Sequence, residues 1–232
     1  MKLKKKAIVL LSGGLDSTTT LATAIHDGYS ITCITFDYNQ NNRFEIDASK
    51  KIAKAYQVKR HLIIDHSFEG LGESMLLKNT KANEVMSKKK QYAEMISTYV
   101  PFRNLFFLTY ASAIAEKYMI GDIFFGANAQ DHRDFPDCRS EFIQSFQKTV
   151  NIGSKFSLSD YPSLKIHAPL IEMNKAEIIK KGKKLGVDYS LTFTCYFPDS
   201  NGYACGICDA CTKRLAGFRE INIKDPARYS EN

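Results

Sequence analysis

Apolar and polar positions follow two rhythms along the chain: short unbroken apolar runs, and longer stretches with an apolar residue every three or four places. Ala7–Leu11 is the first run and ends in Ser12-Gly13-Gly14, as expected of a strand buried on both faces of a parallel sheet. From Asp16 to Asp27, Leu21, Ala24 and Ile25 keep helical spacing, and Gly28 can close that helix. Ile31–Asp37 reads as a second strand, Phe44, Ala48, Ile52 and Tyr56 as the buried stripe of a second helix, and His61–Asp65 as a third strand. Between His66 and Tyr99 the pattern loosens around a Lys88-Lys89-Lys90 run, which predicts an insertion over the sheet edge. Regular structure resumes after Pro101 with a helix showing Leu105, Leu108, Ala111, Ala115 and Met119 on one face. A strand at Asp122–Gly126, a helix from Asp137 to Val150, a strand near Lys165–His167 and a helix from Asn174 to Leu185, closed by Gly186, follow.

Strands alternating with helices predict an α/β fold, a doubly wound and mostly parallel sheet with ligands at the carboxyl ends of its strands. The expected division is an α/β domain over residues 1–190, with 66–99 inserted, and a C-terminal helical and metal-binding segment over 191–232. At 232 residues, 44% hydrophobic and 25% charged, the chain can bury a sizeable core without disulfides. No apolar run reaches the roughly eighteen residues of a membrane span, and no cleavage signal follows Met1–Lys6, so the reading is a cytoplasmic protein. A net charge of +7 suits phosphates, but lysines are spread along the chain without the basic stripe and interleaved aromatics of a nucleic-acid module.

Leu11-Ser12-Gly13-Gly14-Leu15-Asp16-Ser17, running on through Thr18, Thr19, Thr20 and Leu21, carries the first chemistry. Two glycines between a buried strand and a helix start let several backbone N–H groups converge. The helix N-terminus and the hydroxyls of Ser12, Ser17 and Thr18 add to this anion cradle. Asp16 is out of place in a purely anion-binding loop unless a Mg²⁺ rides on the phosphates. The plain alternative is a Gly-Gly turn with an aspartate helix cap. The loop lacks the Gly-Lys-Ser/Thr of a Walker A motif and resembles the PP-loop of ATP pyrophosphatases, which release pyrophosphate and form adenylates.

Four of the six cysteines, Cys195, Cys205, Cys208 and Cys211, fall in a C-x9-C-x2-C-x2-C pattern. Four thiolates suit a closed, structural Zn²⁺ site; an iron–sulfur cluster uses the same ligands. Lys213 and Arg214 follow closely and are expected to offset the thiolate charge. Cys33 and Cys138 read as small core residues. His26, His61, His66 and His167 lack a spacing that suggests a metal or a triad and read as structural or exposed.

Taken with Val100–Asn104, Gly126–Asp131, Phe135–Phe142, Ala168–Leu170, Asn174–Ile179 and Thr194–Tyr196, these motifs resemble the 7-cyano-7-deazaguanine synthase (QueC) family over almost the whole chain. The resemblance implies an adenine nucleotide alpha hydrolase-like fold. It also implies a carbon–nitrogen ligase that turns 7-carboxy-7-deazaguanine and ammonia into the nitrile with ATP, Mg²⁺ and one structural Zn²⁺, on the route to queuosine. It implies a homodimer as well. Within that frame Asp16, Lys175 and Arg103 are the expected catalytic residues. Lys175 would neutralise charge at the α-phosphate, and Arg103 would fork onto phosphate or substrate carboxylate.

Arg103, Asn104, Asp131 and Asp137 are the expected substrate contacts, a carboxylate accepting from the N–H and amino edge of a guanine-like base. Plainer readings are a helix cap for Asp137, a solvated loop charge for Asp131 and a first-turn surface lysine for Lys175. The chain departs from the usual family pattern at Phe102, where Gly is common, at His132-Arg133-Asp134 and at Asn41-Asn42, all on the expected substrate side. A related ligase delivering another amine, and a tRNA-binding zinc module, are the competing functions.

Overall fold

A computed structural model describes residues 5–68, 74, 76, 77, 98–132 and 135–230. The Lys88–Lys90 run, most of the expected 66–99 insertion, and Arg133 and Asp134 lie outside these residues.

β1 (Lys6–Leu10), β2 (Ser30–Asp37), β3 (Arg60–Asp65), β4 (Asp122–Phe124) and β5 (Lys165–His167) form one parallel sheet in the order β3-β2-β1-β4-β5. The apolar run of β1 is unbroken because its alternating side chains enter two cores. Ile8 and Leu10 pack on the face covered by α3 (Arg103–Lys117) and α4 (Ser140–Gly153), with Leu108, Ala111, Ile143 and Phe146. Ala7, Val9 and Leu11 pack on the face covered by α1 (Leu15–His26) and α2 (Phe44–Ala55), with Leu21, Ala24, Ala48 and Ile52.

α1 is buried nearly all round because α5 (Lys175–Lys184) and α6 (Asp209–Glu220) form a further layer outside it. Leu15 and Ala22 meet Ile178, Ile179 and Phe218 there. Gly217 permits the close approach of α6 to α5: a Cβ at that position would lie 3.0 Å from the Lys175 Cβ and 3.1 Å from its carbonyl carbon. The C-terminal segment thus shares a core with the α/β domain. Among the described residues no helix is long and apolar enough to cross a membrane.

Met119 is not on the buried face expected for α3. The helix stops at Lys117, and Met119 follows in left-handed backbone (φ 50°), 53% exposed. Phe44 is likewise exposed, with Ile46 and Ser49 buried beside Ala48 and Ile52. The expected strand to Gly126 ends at Phe124, although the Phe125 N–H still reaches the His167 carbonyl at 2.8 Å. Asp137 lies in a 3-10 turn (Pro136–Cys138) ahead of α4. Cys33 and Cys138 are buried as expected.

Candidate functional site

The sheet order changes direction between β1 and β4, and the crevice at such a switch point is where open α/β sheets bind ligands. The phosphate loop leaves β1 on one side of this crevice, and the Gly126–Asp131 loop leaves β4 on the other. At Gly13 the backbone is left-handed (φ 90°), and an added Cβ would strike the Glu45 carbonyl oxygen and come within 2.8 Å of the Ser49 amide nitrogen. Only glycine lets the loop lie this tightly on α2. The Gly13 carbonyl also accepts from the Phe193 N–H at 2.9 Å. The loop is shaped by its own hydroxyls: Ser17 Oγ is 3.0 Å from Ser12 Oγ and donates to the Gly14 carbonyl at 3.1 Å. Thr18 Oγ1 donates to the same carbonyl at 2.7 Å. Ser12 stands exposed at the mouth. Thr19, Thr20 and Leu21 are buried in α1 behind the loop, and Thr19 Oγ1 bonds the Tyr189 hydroxyl at 2.8 Å.

Behind the loop, side chains far apart in sequence converge. Asn128 forms an isolated parallel bridge with Leu170, and the Ala129 N–H donates to the Met173 carbonyl at 3.2 Å. This pairing brings the β4 loop beside the start of α5, where Asn174 and Glu177 form a capping box. Lys175 Nζ then lies 2.7 Å from Asp16 Oδ2, with the two side chains only 11% and 24% exposed. Asn128 Nδ2 donates to Asp131 Oδ2 at 2.6 Å and approaches Asp16 Oδ2 at 3.4 Å. Burial first, then the charge of Asp16, pushes the Asp131 pKa up to about 6, against the pull of Lys175, Lys213 and Arg103. Asp16 Oδ1 is buried with no hydrogen-bond partner. Two hard carboxylates beside a phosphate cradle, one with an orphaned oxygen, fit a Mg²⁺ ion.

The same cavity, about 280 Å³, continues away from the phosphate loop into a chamber with Phe36, Tyr38, Phe107, Phe135 and Tyr196 on its walls. Arg103, the first residue of α3, enters it and donates to the Tyr38 hydroxyl at 3.4 Å. Burial works against the Arg103 charge, but Tyr38, Tyr196, Glu45 and Asp137 outweigh it and raise its pKa. Asn104 reaches the wall too. Asp137 does not: its two oxygens accept the Asn104 N–H at 3.3 Å and the Asn104 Nδ2 at 3.1 Å, holding the start of α3 from behind. The helix-cap reading of Asp137 describes its geometry, although the helix it caps is α3 and not the one that follows it.

Glu45, Gln40 and Asn128 were not singled out by sequence reasoning, yet the first two line this cavity and the third ties Asp16 to Asp131. Asn42, one of the departures, donates to the Cys195 carbonyl at 2.7 Å and accepts the Phe44 N–H at 2.9 Å. Phe102, another, has left-handed backbone (φ 55°), where Gly would be unstrained, and is 69% exposed.

The sulfurs of Cys195, Cys205, Cys208 and Cys211 lie within 4.8 Å of one another. The Cys205 N–H points at Cys195 Sγ (3.2 Å) and the Cys208 N–H at Cys205 Sγ (3.4 Å), as around metal-bound thiolates. This cluster could hold zinc. Cys208 caps α6, so the knuckle also sets Asp209 and Lys213 on the cavity wall. Of the two following cations, Arg214 makes its hydrogen bonds away from the thiolates. Lys213 bonds Asp209 at 2.8 Å. Arg214 is buried in a fork with Asp225 (2.8 and 2.9 Å), and it also donates to Thr192 Oγ1 and the Tyr189 carbonyl. Of the histidines, His61 bonds Thr35, His66 stacks on Phe106, and His167 bonds Asp122, all structural contacts.

The family model described as "Queuosine biosynthesis protein QueC" matches residues 6–222. Proteins named 7-cyano-7-deazaguanine synthase are similar along the full length. The one from Syntrophus aciditrophicus (strain SB) is 44% identical over 100% of both chains. That from Vesicomyosocius okutanii subsp. Calyptogena okutanii (strain HA) is 45% identical over 98% of this chain and 97% of its own. That from Syntrophobacter fumaroxidans (strain DSM 10017 / MPOB) is 41% identical over 97% of each.

Proposed function

The chain belongs to the QueC family of queuosine biosynthesis proteins, and from that premise we propose that it makes 7-cyano-7-deazaguanine from 7-carboxy-7-deazaguanine, ammonia and ATP. One observation carries the reading: a single cavity joins the Ser12–Ser17 phosphate loop and its Asp16–Lys175 pair to a flat-walled aromatic chamber. Nucleotide and heterocyclic acid can therefore meet end to end.

A carboxylate is a poor electrophile until its oxygen becomes a leaving group. Attack of the carboxylate oxygen on the α-phosphate of ATP gives an acyl-adenylate and releases pyrophosphate. Ammonia adds to the acyl carbon and expels AMP, leaving the amide and a proton. The amide oxygen attacks the α-phosphate of a second ATP and releases a second pyrophosphate, and loss of AMP and the two N–H protons leaves the nitrile. In this scheme the loop amides of residues 12–17 grip the pyrophosphate, where the negative charge of the leaving group grows. Lys175 releases Asp16 and moves to the charge at the α-phosphate. Asp16 and Asp131 would hold Mg²⁺, which supplies neutralisation of the phosphates. Arg103 pairs with phosphate or with the substrate carboxylate, and Asn104, fixed by Asp137, supports that corner. Zn²⁺ on the four cysteines would brace α6 against the site.

We place the reaction in the cytosol, where such thiols stay reduced, and take the enzyme as a homodimer. We read residues 1–190 as the nucleotide-binding α/β unit and 191–232 as a zinc-binding segment that braces it and completes the cavity wall. The test is the purified protein given ATP, Mg²⁺, ammonium and the acid, with nitrile followed by mass and nucleotides by chromatography. Nitrile with AMP and pyrophosphate is expected. Absence of nitrile, or release of ADP and phosphate, overturns the scheme. Coupled product without ammonium would favour a different amine, and salt-sensitive tRNA binding without ATP turnover would favour a nucleic-acid module.

A further inference from the structure

The cavity contains two carboxyl groups that this scheme leaves without a task, Glu45 and Asp209, and Asp209 is paired with Lys213. Glu45 sits in the first turn of α2, directly behind the phosphate loop, and lines the chamber that Arg103 enters. Gln40 Nε2 donates to Glu45 Oε1 at 2.8 Å. Gln40 is itself 3% exposed and locked, its Oε1 accepting the Tyr38 N–H at 2.8 Å. Among the described residues, Gln40 is the sole hydrogen-bond partner of the Glu45 carboxyl group. Acceptor capacity therefore remains toward the cavity.

The other carboxylates nearby have tasks or partners in this scheme: Asp16, paired with Lys175, and Asp131, bonded by Asn128, would hold Mg²⁺, Asp137 holds Asn104 and Asp209 pairs with Lys213. Flat faces line the same cavity as Glu45. Phe36 and Phe107 stack at 4.1 Å with 9° between planes, and Tyr38 lies 5.7 Å from Phe107. Stacking admits any flat heterocycle, so selection falls to the hydrogen-bonding edge. A 7-deazaguanine presents two adjacent donors there, N1–H and the 2-amino group, which one carboxylate can accept side by side. Adenine presents a donor beside an acceptor, which an ionised carboxylate repels at one position.

We propose that Glu45 is the specificity-determining residue for the acid substrate, accepting hydrogen bonds from N1–H and the 2-amino group of the deazaguanine while Gln40 orients its carboxylate. The inference deepens the function proposed above and rests on it. Burial pushes the Glu45 pKa up to about 7 despite Gln40 and Arg103. Two N–H donors arriving with the base would favour the charged form again. This assigns recognition of the base to Glu45 in place of Asp131 and Asp137.

The test compares wild type and Glu45→Gln on 7-carboxy-7-deazaguanine and on its analogue lacking the 2-amino group, with KM for ATP measured in parallel. Wild type should lose about 10²-fold or more in kcat/KM on the analogue, because a buried acceptor is left unpaired. Glu45→Gln should lose about as much on the natural acid, distinguish acid from analogue by less than about threefold, and keep its KM for ATP within about threefold. Wild type accepting both acids equally overturns the inference even if the variant does not fold. A variant whose KM rises for ATP alone also overturns it and assigns Glu45 to the nucleotide. Nitrile formation by wild type with no effect at Glu45 removes only this inference, whereas no nitrile from wild type removes the reaction it rests on.

Discussion

Arg214 and Asp225 form a buried pair, each side chain 3% exposed, and removing either should be among the costliest single changes in the chain. Breaking a buried pair by deleting one partner costs about 3–5 kcal/mol, because the other charge stays behind without compensation. Arg214→Met falls near the lower figure, since Asp225 keeps the Tyr229 hydroxyl at 2.6 Å and the Ala227 N–H at 3.0 Å. Asp225→Leu falls near the upper figure. It leaves a guanidinium with only the neutral acceptors Thr192 Oγ1 at 2.7 Å and the Tyr189 carbonyl at 3.1 Å. Summed independently, the two changes would cost about 8 kcal/mol, but the double variant buries no charge at this place and should cost about half that or less. Urea unfolding of the zinc-loaded proteins measures all four corners of the cycle.

Additivity within about 0.5 kcal/mol, or single variants costing under about 1 kcal/mol, would refute the argument. The acid limb gives a second check. Burial alone would raise the Asp225 pKa, but hydrogen bonding and charge from Arg214, with Tyr229, outweigh it and leave it lowered. The stability from Asp225 is thus present above the unfolded value of about 3.9 and lost as pH falls through the lower folded value. Wild type and Asp225→Leu should converge in that range.

Gly13→Ala forces a left-handed alanine, costing about 1–2 kcal/mol, against backbone of α2 that cannot yield, so ATP affinity should drop at least about tenfold by calorimetry. Unchanged ATP binding would count against the loop's role. For Asp131, the rise from 3.8 to about 6 means that ionisation opposes folding, so Asp131→Asn should stabilise the protein without nucleotide or added Mg²⁺. The gain is about 3 kcal/mol at pH 8 and about half that at pH 5, and a gap that does not change with pH would contradict it. Phe102→Gly removes left-handed strain from an exposed site and should raise stability by about 0.5–1 kcal/mol in urea melts, a loss being the contrary result. Stripping metal from the four thiolates should release residues 191–230 to hydrogen exchange before the sheet, whereas unaltered protection there would deny the brace.

Much of this molecule was legible from local pattern. The run Ala7–Leu11, the glycine turn at Gly13 and the cysteine spacing depend on residues within a few places of one another, so strand, phosphate loop and knuckle could be read directly. Met119 misled because helical periodicity runs past the point where left-handed backbone ends α3.

What the sequence by itself determined is the layered α/β fold, the anion loop and the thiolate cluster, since strand periodicity, glycine conformation and ligand spacing are properties of the chain's immediate neighbourhood. Only tertiary structure decided which charges answer one another. Asp16 meets Lys175 across 159 positions, Arg214 pairs with Asp225, and Asp137 holds the start of α3 while Glu45 lines the cavity. The physical reason is that such partners are chosen by parallel strands and packed helices bringing distant segments side by side, and the charge of a side chain says nothing about which opposite charge the fold will bury beside it.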